Sequence, residues 1–355
     1  MKRLLILASM MAVAVEAQED TTAEALPAVR PISGDLHVWR HAQDKLEPIK
    51  ESMGVAPADR LGTRKDKYAT LVTDDGTLIS LSSVEVGHER GLALERTKGQ
   101  LLIKIYRGKV VLDSVQTTVR VETPNGAVEG ARSCFVVKVD GEKTDVRVVE
   151  GPVTFTHPLG TIKIGDGQES SAGRTTRPSD PKPAEPEKAA SDLLPHDGVL
   201  NLIKNPGFED GLKNWSVETF EGRERVSLET ALSHGGSRSV RLEISNRVYG
   251  TGRPEGWLGF KQNLGLTPGK HYLFRAYVRL DAREGVVKPF FSISGSGGPK
   301  WTVDPAEKGW RRVGGIYVPA PNDKSGPRVS IEATVESDRY DAVLWADDFL
   351  LLEVK

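Results

Sequence analysis

Residues 199–216, VLNLIKNPGFEDGLKNWS, and residues 343–355, VLWADDFLLLEVK, decide the fold of the C-terminal half of this chain. The first segment is an apolar strand followed by a Gly-containing turn, the acidic Glu209 and Trp215. The second is an apolar strand interrupted by Asp347 and Asp348. Short β-type segments fill the sequence between them. The pair is therefore predicted to form the first and last strands of one antiparallel sandwich.

The intervening segments carry the same signal. Residues 239–245 alternate strictly, with Val240, Leu242 and Ile244 on one face. Residues 266–270, LTPGK, predict a type II turn, and residues 271–280, HYLFRAYVRL, predict a long alternating strand. Each piece fits an antiparallel sheet better than a helix.

In this order the segments resemble the jelly-roll carbohydrate-binding modules found beside xylanases and glucanases. The matching pieces are residues 205–209 with Trp215, 235–242, 266–272, 276–279, 309–310 and 345–351. The resemblance covers residues 199–355 end to end. It implies a sugar-binding domain rather than a catalyst.

Residues 31–172 contain strand–turn units in quick succession. Asp74-Asp75-Gly76 separates two apolar runs and predicts a hairpin. Repeated units of this kind favour a β-roll or solenoid-like stack in which neighbours bury one another's faces. Residues 43–53 carry only a mild helical pattern.

The order of these units resembles the FecR domain, a periplasmic signalling module. The matching stretches are residues 61–63, 73–77, 121–126, 130–137 and 144–153. Residues 130–135, GARSCF, depart from the family's Gly-Thr-x-Phe step. FecR regulators also carry a cytoplasmic segment and a membrane helix, neither of which is recognised here. The resemblance therefore implies the fold, and leaves an envelope protein as a candidate partner of this domain.

Two further segments complete the predicted organisation. Residues 1–17 combine Lys2 and Arg3, an apolar run and a Val-Glu-Ala end, which together predict a signal peptide and a periplasmic or extracellular location. Residues 173–198 are Pro-rich and charged, so they are predicted to form a linker between a FecR-like domain (31–172) and a jelly roll (199–355).

Composition excludes several classes of function. The formal net charge is −1, with 48 basic and 49 acidic residues, which argues against a nucleic-acid partner. Cys134 is the only cysteine, so an internal disulfide is excluded. The sequence contains no His/Cys cluster for a transition metal, and no Gly-x-Ser-x-Gly or His-Glu-x-x-His motif. We therefore expect a non-catalytic, all-β protein.

The acidic residues of the two quoted segments are the candidate metal ligands. Leu344 and Ala346 share one strand parity while Phe349 has the other, which predicts a β-bulge at residues 347–348. Carboxylates at such a bulge suit Ca²⁺, which prefers oxygen ligands. The resemblance also implies a structural Ca²⁺ here, held by Glu209, Asp347 and Asp348. The alternative is that these carboxylates only accept hydrogen bonds from turn amides.

Aromatic side chains are the candidate ligand-binding residues, because their flat faces suit the C–H faces of sugars. Tyr249, Trp257 and Trp301 lie in or beside polar, Gly-rich loops and are the predicted binding residues. The other candidates, Trp215, Trp310 and Trp345, coincide with the fold signature and are expected to pack. The sequence thus predicts a secreted glycan-binding protein. The alternative is a structural protein whose two β-domains mediate protein–protein contacts.

Overall fold

The computed structural model describes residues 27–87, 90–97, 99–184, 200–219, 225–246, 258–284, 287–293, 300–302, 308–320, 329–335 and 340–355. The predicted signal peptide, residues 1–17, lies outside these ranges. Within them the chain is nearly all β-strand, and the one helix described is a short 3₁₀ helix at His41–Gln43. The predicted all-β class is confirmed. None of the helices in these ranges is both long and apolar enough to span a membrane.

The described residues between 27 and 184, here called the N-terminal unit, form eighteen strands. In chain order they are β1 (Ala28–Gly34), β2 (Leu36–Arg40), β3 (Lys45–Pro48), β4 (Met53–Gly54), β5 (Arg60–Thr63), β6 (Tyr68–Thr73), β7 (Leu78–Ser82), β8 (Leu92–Thr97), β9 (Gln100–Ile105), β10 (Gly108–Asp113), β11 (Thr118–Thr123), β12 (Gly126–Ala131), β13 (Cys134–Val139), β14 (Lys143–Glu150), β15 (Val153–His157), β16 (Gly160–Ile164), β17 (Gln168–Gly173) and β18 (Lys182–Pro183).

The strands of the N-terminal unit form two nine-stranded sheets. Sheet A has the order β18-β17-β14-β13-β10-β7-β6-β1-β4, and sheet B the order β16-β15-β12-β11-β9-β8-β5-β2-β3. The chain passes repeatedly from one sheet to the other. Fully buried aliphatic side chains such as Leu71 and Val137 from sheet A, and Ile103 and Val121 from sheet B, fill the space between them. This two-sheet stack agrees with the predicted β-roll architecture.

Turn chemistry fixes the hairpins of this unit. Asp75 accepts a hydrogen bond from the Thr77 backbone N–H at 2.8 Å, and Gly76 adopts a φ of 84° between β6 and β7. The hairpin predicted at Asp74-Asp75-Gly76 is confirmed. The helix suggested by the pattern at residues 43–53 does not form, because β3 within that stretch pairs with β2 in sheet B. Backbone pairing outweighed a weak local preference there.

The start of the predicted linker is part of sheet A. β18 pairs with β17 at its edge, and the Ser170 hydroxyl donates to the Ser179 carbonyl at 2.7 Å. Residues 185–199 lie outside the described ranges.

The described residues between 200 and 355, here called the C-terminal unit, form ten strands. They are β19 (Ser216–Thr219), β20 (Arg225–Glu229), β21 (Ser239–Asn246), β22 (Leu258–Lys261), β23 (His271–Glu284), β24 (Val287–Ile293), β25 (Lys300–Thr302), β26 (Arg311–Tyr317), β27 (Val329–Val335) and β28 (Tyr340–Val354). Sheet C has the order β20-β21-β28-β23-β26. A second layer consists of β19-β22 and β25-β24-β27, with β22 alongside β27. All pairings are antiparallel, as in a jelly roll.

The two ends of this unit meet in its core. Phe208 and Trp215 of the first quoted segment pack with Phe349 of β28 at ring-centroid distances of 5.8 and 5.3 Å, and with each other at 5.2 Å. The Trp215 indole N–H donates to the Asn205 carbonyl at 3.0 Å, so its polar atom is satisfied although the residue is buried. The two quoted segments meet as predicted, but the predicted first strand is wrong: residues 200–215 form turns and bends, and the first strand described in this unit is β19, which pairs with β22.

A β-bulge lies where β28 carries its carboxylates. Arg275 of β23 is aligned with Leu350, but Tyr277 is aligned with Asp347, so β28 has one extra residue. Asp348 takes the left-handed conformation with a φ of 47°. The bulge predicted from the parity change is confirmed.

Sheet C packs the C-terminal unit against sheet A. Along β23, Phe274, Ala276 and Val278 face the core of the C-terminal unit. The opposite parity, represented by Leu273, meets the N-terminal unit. The apolar contact consists of Ile32, Val72 and Leu78 from sheet A with Leu273, Leu352 and Val354 from sheet C. One face of sheet C therefore covers the core of the C-terminal unit, and one end of its other face packs against sheet A.

Candidate functional site

Asp347 lies at the centre of the acidic site predicted from the sequence. Its side chain is fully buried at the bulge, and its Oδ2 accepts hydrogen bonds from the backbone N–H groups of His234 and Gly235 at 2.9 and 3.2 Å. Its Oδ1 accepts from the Asp348 N–H at 2.8 Å. The β28 bulge thus aims a carboxylate at the turn that precedes β21.

Glu209 reaches the same turn from the first quoted segment, residues 199–216. Its Oε1 accepts from the backbone N–H groups of Ser237 and Arg238 at 2.8 and 3.1 Å, and its Oε2 accepts from the Ser237 hydroxyl at 2.6 Å. These bonds, the Ser237 hydroxyl first, lower the pKa of Glu209. The fold therefore ties both quoted segments to one loop, residues 234–238.

Asp348 contacts this loop as well. Its Oδ2 lies 2.7 Å from Nδ1 of His234, whose ring stacks on Tyr277 at a centroid distance of 3.4 Å. Burial, and then the neighbouring Asp348 carboxylate, raise the pKa of Asp347 to about 6. A close pair of carboxylates in a partly desolvated bulge is an environment that favours a cation or a proton.

Glycine lets the loop approach the carboxylates. A Cβ at Gly235 would lie 2.5 Å from an Asp348 oxygen, and one at Gly236 would lie 2.1 Å from a Glu209 oxygen. A side chain at either position would therefore displace the carboxylate that it meets, and at Gly236 the φ of 59° also disfavours any residue other than glycine.

The three predicted metal ligands are thus brought to one loop, and their hard oxygen donors fit Ca²⁺. In this geometry, however, the oxygens of Glu209 and Asp347 are directed at backbone N–H groups. Within the described part of the chain, no three or more His, Cys, Asp or Glu side chains are arranged to hold a metal ion. A cation here would have to replace these N–H hydrogen bonds, so calcium stays a prediction.

A second polar cluster lies between the two units. Arg312 of β26 donates through Nη1 to Asp113 of β10 at 2.5 Å, and its Nε lies 3.3 Å from Glu150 of β14. Arg275 of β23 donates to the Gly76 carbonyl and lies 3.7 Å from Asp113. The hydroxyl of Tyr277 bonds to Glu150. Two guanidinium and two carboxylate groups therefore balance one another in the interface.

Burial governs the electrostatics of this interface cluster. The Arg312 side chain is 4 % exposed, and that of Arg275 is 5 % exposed. Burial raises the pKa of Glu150 despite the nearby Arg312, and burial also raises the pKa of Tyr277. Sequence analysis missed this cluster, because its members lie far apart in the chain and belong to no local motif.

Of the three predicted sugar-binding aromatic residues, only Trp301 lies within the described part of the chain. Tyr249 and Trp257 lie outside the described residues, although Trp257 directly precedes β22. Trp301 lies in β25, aligned with Phe291 of β24, which is in turn aligned with Ile331 of β27. Residues aligned across a sheet share a face.

The register divides β24, β25 and β27 into two sets. One set is apolar and contains Val287, Pro289, Phe291, Ile293, Trp301, Val329, Ile331, Ala333 and Val335. The other set is mainly polar and contains Lys288, Phe290, Ser292, Lys300, Thr302, Ser330, Glu332 and Thr334. Trp301 thus belongs to the apolar set, whereas Phe290, which sequence analysis overlooked, is the aromatic residue of the polar set.

The three tryptophans of the fold signature lie at packing positions. Trp215 is in the core, as expected. Trp345 is buried on the outer face of sheet C with the Arg279 guanidinium 5.8 Å from its ring, and Trp310 meets His234 edge-on at 5.8 Å.

No family model matches the sequence, and no curated protein matches it. A Parabacteroides distasonis protein described as an anti-sigma factor is similar over 41 % of this chain and 68 % of its own, at 18 % identity and a TM-score of 0.32. A family 16 carbohydrate binding module covers 42 % of this chain and 99 % of its own, at 18 % identity and a TM-score of 0.31. A CBM22-1 xylan-binding domain from Paenibacillus barcinonensis covers 44 % and 97 %, at 20 % identity and a TM-score of 0.29. Likenesses this remote do not decide the function of this chain.

Proposed function

We propose that this is a non-catalytic, exported protein that binds glycan on the second layer of its C-terminal jelly roll. The observation that carries the proposal is the sorting of that layer into two sets of residues. An apolar set suits the core. A polar set with hydroxyl, ammonium and carboxylate groups around Phe290 suits a carbohydrate, because sugars are bound by an aromatic surface flanked by hydrogen-bonding groups.

The packing of the two units supports this choice of surface. One end of the outer face of sheet C is buried against sheet A through Leu273, Leu352 and Val354. This packing closes that part of the face to a ligand and favours the second layer and the loops around it. In this reading the FecR-like N-terminal unit holds the jelly roll by the face opposite the ligand, and an envelope protein remains its candidate partner.

The strands next to the predicted loops belong to the same layer. Trp257 directly precedes β22 in the sequence, and residues 294–299 lie between β24 and β25 in the sequence. β22 and β25 are separated by β27 and β24 in this layer, about 14 Å in the hydrogen-bonding direction. A chain of several sugar units could span that distance.

A glycan array probed with the full exported chain tests the proposal. We expect binding to at least one polysaccharide, with loss of at least tenfold in affinity for Phe290→Ala and for Trp257→Ala. Trp301→Ala should lower the melting temperature more than it lowers affinity. Tyr106→Ala, which removes a 52 % exposed aromatic residue of the N-terminal unit, is the matched control.

Failure to bind any glycan, or equal binding by all four variants, would overturn the proposal. The structural alternative, two β-units that mediate protein–protein contacts, would then be the better account.

A further inference from the structure

A pocket of about 380 Å³ opens beside the second layer, away from both polar clusters described above. It lies between the first quoted segment, the start of β19 and the residues that follow β22. Its lining residues are Leu202, Lys204, Asn214, Ser216, Gln262, Asn263, Leu264, Gly265 and Leu266. None of the predicted metal or ligand residues is among them.

Gln262 fixes the wall of this pocket. Its side-chain carbonyl accepts from the Lys204 backbone N–H at 2.8 Å, and its amide donates to the Lys204 carbonyl at 2.9 Å. Gln262 is 6 % exposed, so these two hydrogen bonds are shielded from water. Beyond it, the Leu266 N–H donates to the Leu264 carbonyl at 2.9 Å. The pocket is therefore formed without a ligand, as small-molecule sites usually are.

The lining combines an apolar base with polar groups at the mouth. The side chains of Leu202, Leu264 and Leu266 supply the apolar part. Lys204, Asn214, Ser216 and Asn263 are exposed and supply an ammonium, two amides and a hydroxyl. No Asp or Glu belongs to this described lining, so its formal charge is positive.

We propose that this pocket binds a sugar unit that carries a carboxylate, a uronic acid of an acidic polysaccharide. The Lys204 ammonium pairs with the carboxylate, and the asparagine amides and the Ser216 hydroxyl bind ring hydroxyls. The leucines cover the C–H face of the ring. This assignment rests on the proposed glycan-binding function and names its substrate class.

The pocket is placed to serve the same ligand as the second layer. β22 ends in Lys261, which is aligned with Ser216 of β19 at the pocket mouth, and β22 itself is a strand of that layer. A polysaccharide bound across the layer can therefore place one acidic unit in the pocket.

A substitution at Gly265, which lines the pocket, can test the site by filling part of it. A Cβ at Gly265 meets no heavy atom within 4 Å, and its φ is not left-handed, so the backbone accepts a side chain there, and we expect the larger side chain of Gly265→Leu to narrow the pocket. Gly54 in β4 has the same properties in the N-terminal unit, which makes Gly54→Leu a matched control.

The experiment measures binding of the full chain to trimers of galacturonate, glucuronate, mannuronate and guluronate by isothermal titration calorimetry. Each acidic trimer is compared with its methyl ester, which keeps the skeleton and removes the charge. We expect at least one trimer to bind, with the ester at least tenfold weaker. Lys204→Gln and Gly265→Leu should each weaken binding of the acid at least tenfold, and added salt should weaken wild-type binding.

The outcomes separate this assignment from the proposed function. Equal affinity for acid and ester, or unchanged affinity in Lys204→Gln and Gly265→Leu, overturns the pocket while Phe290-dependent glycan binding still stands. If the protein binds no acidic trimer but the array finds a neutral glycan, the pocket assignment is also overturned and the proposed function still stands. No binding to any glycan overturns both. A loss in Gly54→Leu equal to that in Gly265→Leu would mean that the effect is not local, which also counts against the pocket.

Discussion

Arg312 Nη1 of the jelly roll lies 2.5 Å from Asp113 Oδ1 of the N-terminal unit, and these two side chains are 4 % and 17 % exposed. Glu150 flanks the same guanidinium, so one cation of β26 faces two carboxylates from β10 and β14. A buried ion pair contributes little net stability when it is complete, but its loss leaves a charge without a partner. The relative orientation of the two units therefore depends on Arg312.

The first prediction concerns this ion pair. Arg312→Met leaves Asp113 and Glu150 buried together, and we expect it to lower the free energy of unfolding by about 3 to 5 kcal/mol. Arg64→Met is the control, because the Arg64–Asp35 pair has two contacts of 2.6 and 2.8 Å on a side chain that is 65 % exposed. Its loss should cost no more than about 1 kcal/mol. Urea unfolding measures both, and equal costs would contradict the role given to Arg312.

The second prediction concerns the segment between the units. Protease should cut within the predicted linker, residues 173–198, and beyond β18, because that stretch is rich in Pro and charge. The two fragments should nevertheless elute together in size-exclusion chromatography, since Leu273, Leu352 and the Arg312 pair hold the units together. Leu352→Glu should release them. Fragments that separate in the wild-type protein would mean that the units are independent.

The third prediction is a pH dependence from Glu150. Burial raises the pKa of this carboxyl above its ordinary 4.5, so the folded state binds its proton more tightly than the unfolded state. Stability therefore falls as pH rises through the window that begins near 4.5 and ends at the raised value. The groups facing it are Arg312, Asp113, His234 and Tyr277.

Glu150→Gln replaces the titrating carboxyl by a neutral amide, which can still accept the hydrogen bond from Tyr277. The melting temperature of the variant should therefore rise relative to wild type as the pH is raised from 4.5, the ordinary pKa of this carboxyl, towards neutrality. Glu122→Gln, at a carboxylate that is 40 % exposed, should show no such trend. A constant difference between Glu150→Gln and wild type across this range would refute the prediction.

The fourth prediction decides between calcium and hydrogen bonds at the bulge. If Glu209, Asp347 and Asp348 hold Ca²⁺, free cation at ~100 times its Kd adds roughly 2.7 kcal/mol to the free energy of unfolding. Chelator should then lower the melting temperature by several degrees, and Asp347→Ala with Asp348→Ala should abolish that difference. An unchanged melting temperature, with no calcium found by elemental analysis, would leave the observed N–H bonds to these carboxylates as the full account.

The fifth prediction is cleavage of the signal peptide after Ala17. The apolar run at residues 4–15 and the Val-Glu-Ala end motivate it. Mass spectrometry of exported protein should give a chain that begins at Gln18. Exported protein that keeps Met1 would disprove the cleavage site and the localisation inferred from it.

The sequence by itself determined the local pieces of this protein. Alternation along residues 271–280 predicted β23, Asp74-Asp75-Gly76 predicted a hairpin, and the parity change at Asp347 and Asp348 predicted the bulge. Each of these signals is carried by neighbouring residues, because strand faces repeat every second residue and turns depend on three or four positions. A weak signal of the same kind failed at residues 43–53, where pairing of β3 with β2 decided the structure.

Only the tertiary structure decided which distant residues share a site. It brought Glu209 and Asp347 to one loop, sorted Trp301 into the apolar set and Phe290 into the polar one, and joined Arg312 to Asp113 across 199 positions of sequence. The physical reason is that register and inter-sheet packing are set by contacts between segments far apart in the chain. The alternation of one strand reveals its two faces, but it does not reveal which face another sheet will cover.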